Sequence, residues 1–160
     1  MLPTQDRLGT VAPMARSSRR PGTWPLLALV VWSAYVWSTR IRNAAGDATL
    51  SSGGKAFSIA LSTTFIGFAV AGVVVLVRAW SRSLTSTESL VLKAFAGWTV
   101  LVWLVRVPMI VADGHSVPFK VVHAVLGLIS IALAALVWRS TSATVASAPT
   151  DESVSAPSAR

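Results

Sequence analysis

A chain of 160 residues has the length of one domain, yet it is 53% hydrophobic and only 12% charged, with a mean hydropathy of +0.64. Water-soluble domains carry about twice that share of charge, which excludes a soluble globular fold as the first reading. The absence of cysteine removes disulfides, thiolate metal sites, thiol catalysis and lipid attachment through a thiol, and the net charge of +8 comes from basic residues flanking apolar runs, a pattern that meets anionic lipid and not nucleic acid.

Residues 1–22 contain Pro, Ser and four Arg against one Asp, without apolar periodicity, and read as a disordered basic arm. Ser18-Arg19-Arg20 has the look of a twin-arginine export signal, but Gly22-Thr23 follows where an apolar pair belongs. A cleaved signal peptide is disfavoured as well, because the uncharged run is long and no Ala-x-Ala site follows it.

The first expected span covers about 23–39. Thr23 is placed to cap the free amides, Pro25 suits a first turn, and Trp24 and Trp37 have the spacing of interfacial anchors. Residues 40–55, with Asn43, Gly46, Asp47 and the Gly53-Gly54 pair, read as a flexible loop.

The second span covers about 56–77. Its 22 residues hold no charge, and at about 1.5 Å per residue they reach roughly 33 Å, enough to cross a hydrocarbon layer of roughly 30 Å. Thr63, Gly67 and Ala71 recur every fourth residue, so they share one face on which a neighbouring helix can approach closely.

Thr85 and Glu88 have the spacing of a capping box ahead of the third span, about 90–112, in which Pro108 interrupts the backbone bonding near the end. The turn Asp113-Gly114-His115-Ser116 leads into the fourth span, about 117–138. There His123, Gly127, Ser130 and Ala134 form a stripe of small or polar side chains. In residues 140–160, 14 of 21 are Ser, Thr or Ala, a composition that cannot bury a core and reads as a disordered tail.

The fold class is therefore all-α: an integral membrane four-helix, up-down-up-down bundle spanning 23–139, with disordered termini. An even number of spans puts both ends on one side. That side carries nine basic residues against five on the other, so both termini are expected in the cytoplasm, with the chain in the plasma (inner) membrane. The Ala/Val/Arg-rich composition suggests a bacterial source, and the design resembles small four-span bacterial membrane proteins.

Candidate chemistry is sparse. No carboxylate lies within a span, which argues against a proton-coupled transporter, and no phosphate loop, metal-binding HExxH pattern or nucleophile elbow is present. Arg106 and His123 are the two residues that hydrocarbon resists, each about eight or nine residues from the turn, so antiparallel legs bring them to a similar depth. Arg106 has two readings: snorkelling to the nearby interface, or facing inward toward an anionic or carbonyl ligand, with Trp103 on its face and Asp113 seven residues on. His123 reads first as a neutral imidazole hydrogen-bonded to a neighbouring helix and second as part of that site. His115 lies on the wrong side of one helix to share a haem with it.

The leading expectation for function is a non-enzymatic accessory or assembly component. It packs through the faces of Thr63, Gly67 and Ala71 and of Gly127, Ser130 and Ala134. The alternative is a binder of a small lipid-soluble or anionic ligand, a quinone or lipid headgroup, near Arg106 and His123. A b-type haem protein or a transporter subunit ranks lower. No catalytic residue, metal or cofactor is expected. The partners are the lipid bilayer and a homo-oligomer or larger membrane-protein complex, with no nucleic acid.

Overall fold

The computed structural model describes residues 23–146, with side-chain surroundings described through Ser142. The arm expected over 1–22 and the last part of the expected tail lie outside these residues. Four helices follow one another: α1 (Thr23–Gly46), α2 (Ser52–Ser81), α3 (Ser86–Ala112) and α4 (Val117–Ala146), with no strand among the described residues. The connections between them are four or five residues long, so each helix runs back along the one before it in an up-down bundle.

α1 continues through residues 40–46, where the sequence predicts a loop, because these residues are held by packing. Ala44 is buried, and Arg40 donates through Nη2 to Ser58 Oγ on α2 at 3.1 Å. The turn begins only at Asp47, whose carboxylate accepts from the Thr49 amide at 2.8 Å and its hydroxyl at 2.6 Å. These two bonds hold the Asp47 carboxyl below its usual range. Ser51 then caps α2 by accepting from the Gly54 amide at 3.1 Å, so that helix starts four residues before the first apolar residue of the expected span. α4 likewise runs on past Trp138: Thr141 and Ser142 satisfy their hydroxyls on carbonyls of the preceding turn, at 3.0 Å to Val137 and 3.0 Å to Trp138.

The α3 start matches its sequence signature. Thr85 Oγ1 accepts from the Glu88 amide at 3.2 Å, while Glu88 Oε2 accepts from the Thr85 amide at 3.0 Å. Arg82, just before the helix, grips the same carboxylate through both guanidinium nitrogens, at 2.9 and 2.7 Å.

Glycine sets how closely the helices pair. A Cβ on Gly72 would lie 2.6 Å from Val30 Cγ2, so α1 and α2 touch backbone to side chain there. A Cβ on Gly127 would lie 2.7 Å from Val107 Cγ2 and 2.9 Å from the Trp103 indole, and α3 and α4 pair as closely. α2 and α3 meet instead through rings, with Phe68 stacked on Phe95 at 5.4 Å and Phe65 tilted against Trp98 at 6.5 Å. The core is thus two tight pairs, α1/α2 and α3/α4, joined by an aromatic seam and by α1 against α4.

α2, α3 and α4 are each long and apolar enough to cross a membrane. Their outward faces carry exposed Val70, Leu101, Leu104 and Leu128, side chains suited to lipid. α1 is long enough, at 24 residues, but is less apolar: Trp32, Ser33, Tyr35, Ser38 and Thr39 interrupt its aliphatic run.

Candidate functional site

The four residues singled out around Arg106 come to different places. Trp103 is buried at 3% exposure, its ring packed over Gly127 and tilted against Trp37 of α1 at 6.4 Å between ring centres. Its indole nitrogen is enclosed and has no hydrogen-bond partner among the described residues. Three residues on, Arg106 is half-buried. Asp113 stays exposed at the turn, where it accepts from the Gly114 amide at 2.8 Å and pairs with His115 Nε2 at 3.3 Å. It makes no ion pair with Arg106.

His123 engages its own helix. Nδ1 donates to the Phe119 carbonyl at 2.9 Å, and the ring lies 4.0 Å from the Phe119 ring. Among the described residues no hydrogen bond or ion pair joins His123 to Arg106. One turn earlier, Lys120 Nζ donates to the Val111 carbonyl at 2.7 Å, closing the end of α3.

Arg40 and Arg106 lie at the same end of the bundle, each on the side of its helix that carries a buried tryptophan. The geometry has a simple origin. Trp37 and Trp103 sit ring to ring on α1 and α3, two helices that run in the same direction, and Arg40 and Arg106 each follow their tryptophan by three residues on the same helix face. Each arginine also lies six residues before the end of its helix, about 9 Å along the axis. The sequence contained the signal, since Trp-x-x-Arg occurs at 37–40 and again at 103–106, but nothing local indicated that the two copies face each other.

Neither guanidinium makes an ion pair with a carboxylate among the described residues. Asp47 attracts Arg40 across the α1–α2 turn, but its carboxylate is engaged by Thr49. The Glu88 carboxylate, with Arg82 and Arg78, lies at the far end of α3. Two half-buried like charges therefore share one end of the bundle, with Ser58 as the one hydrogen-bond partner of Arg40. Such a group can hold an anion.

The helix-packing residues divide by location. Gly127, Ser130 and Ala134 all lie inside the fold: Gly127 against α3, Ser130 as acceptor for Trp32 Nε1, and Ala134 fully covered. Thr63 and Gly67 are exposed and Ala71 half-buried; the face that α2 turns to the core runs instead through Ser58, Ser62, Phe65, Ala69 and Gly72.

No family model, curated protein or solved structure matches the chain. Fold and composition alone define its class, a small all-α membrane protein.

Proposed function

We propose that this is a four-span, multi-pass protein of a bacterial plasma membrane, with both termini cytoplasmic. It acts as a non-enzymatic accessory or assembly component, docking a further membrane helix on the Thr63–Gly67–Ala71 face of α2. The observation carrying this reading is the emptiness around Gly67. Nothing lies within 4 Å of the place a Cβ would take, while Gly72 and Gly127 are both filled by neighbours within the fold. The adjoining hydroxyls are no obstacle to a helix or to lipid, since Thr63 and Thr64 donate to the Ile59 and Ala60 carbonyls of their own helix. A small, self-satisfied face of this kind lets a second backbone come close enough for dense van der Waals contact, the main attraction available between helices in lipid.

The test is the detergent-solubilised mass of the protein, alone and co-purified from its native host. Gly67→Leu fills the face and is expected to reduce assembly, whereas Val73→Leu, exposed on a side of α2 turned about 120° from Gly67, leaves it unchanged. Equal masses for the two variants and the parent would return the face to lipid.

A further inference from the structure

Arg40 and Arg106 present a physical problem that the fold solves only in part: the Asp47 carboxylate attracts Arg40 across the α1–α2 turn. Both are half-buried on the inward stripes of their helices, Arg40 between Trp37 and Ala44 and Arg106 between Trp103 and Ile110, and neither makes an ion pair with a carboxylate among the described residues. Holding two like charges together away from water is unfavourable unless an opposite charge enters between them. The tryptophans below fix the spacing. Trp37 stacks on Phe65 at 3.9 Å, and Trp103 is wedged against Gly127, so neither arginine-bearing face is free to turn away. Ser58 holds the Arg40 guanidinium toward the bundle.

We propose that Arg40 and Arg106 together form a binding site for a phosphate group at this end of the bundle. The planar guanidinium fork matches the oxygens of a phosphate, and two forks side by side satisfy a phosphodiester better than one. The site lies about two helical turns from the ends of α1 and α3, close to headgroup depth. Beside Arg106 the outward face of α3 exposes Leu104, Val105 and Met109, against which acyl chains can lie. An anionic phospholipid headgroup and a free phosphate share the recognising chemistry, and the experiment separates them. The site does not depend on the α2 docking face and stands or falls separately from it.

The full chain is reconstituted in nanodiscs of digalactosyldiacylglycerol, a bilayer lipid without phosphate, of the same lipid doped with phosphatidylglycerol, and of the same lipid with inorganic phosphate in the buffer at constant ionic strength. Melting temperature and lipid retained in native mass spectrometry are the readouts. Phosphatidylglycerol is expected to raise the melting temperature of the parent and to be retained in preference to the galactolipid. Retention falls about tenfold in Arg40→Gln and in Arg106→Gln, the loss of one charge-assisted contact. Arg42→Gln, an exposed position on the same helix, keeps the response. In the pure galactolipid the order reverses: Arg106→Gln is as stable as the parent or more so, because one of two repelling charges is gone. A response to inorganic phosphate in place of the lipid supports the same site with a free anion as its ligand. Failure of both anions to shift the parent overturns the proposal without recourse to any variant. So does an equal loss in Arg42→Gln, which would reduce the effect to diffuse surface charge.

Discussion

The Trp32 indole N–H donates to Ser130 Oγ at 2.9 Å, joining α1 to α4 across the bundle. Ser130 in turn donates to the Leu126 carbonyl at 2.7 Å, so its hydroxyl is oriented to receive the indole. This is the one side-chain hydrogen bond between α1 and α4 among the described residues, and it ties the two hairpins together. A double-mutant cycle of Trp32→Phe and Ser130→Ala measures it. The coupling energy is expected near 0.6 kcal/mol, the typical value for hydrogen bonds between membrane helices. Strictly additive effects in an unfolding titration would mean that packing alone joins α1 and α4.

The glycines are expected to separate into two classes on substitution by alanine. Gly72→Ala drives a methyl group into Val30, and Gly127→Ala drives one into Val107 and the Trp103 ring, neither of which can swing clear. Each should lower stability by about 1–3 kcal/mol, the usual range for overpacking. Gly67→Ala meets open space and gains helix propensity of roughly 0.5–1 kcal/mol, so its unfolding midpoint stays level or rises.

Acid should loosen the α2–α3 connection through Glu88, which sits in the capping turn before the apolar run begins at Leu90. The two-nitrogen grip of Arg82, together with the Thr85 amide, holds its carboxyl down to about 2 from an ordinary value of 4.5. A folded-state value below the unfolded one means the stabilisation is complete above about 4.5 and is lost as pH falls through about 2. Melting curves should therefore be flat from neutrality to the first of these values and fall below it. Glu88→Gln should start less stable and show a shallower acid slope; an unchanged slope would remove Glu88 from the explanation.

Orientation is expected to follow the distribution of basic residues. Reporter fusions after Arg82 and after Arg139 should report the cytoplasm, and fusions after Gly46 and Gly114 the opposite side. An exterior signal at Arg82 or Arg139 would overturn the charge argument.

Much of this protein is determined by signals that act over a few residues. The uncharged apolar runs set the helical, membrane-suited class, and Thr85 with Glu88 sets the start of α3, because helix capping is satisfied within one turn. The extent of α1 and α4 was not legible. Residues 40–46 and 140–146 look polar or small in isolation and are helical with contacts such as Arg40 with Ser58 and the burial of Ala44 and Thr141. Only the tertiary structure decided which face of each helix turns inward. A helix that is apolar all round has no polar side to mark its outside, so spacing alone groups Thr63 with Gly67 yet cannot say that Gly72 is the glycine meeting α1. The same holds for the charges. Counting from the turn aligned Arg106 with His123 in depth, but depth is one coordinate; the rotation of α1 and α3, fixed where Trp37 meets Trp103, set Arg106 and Arg40 on inward stripes at the same end of the bundle.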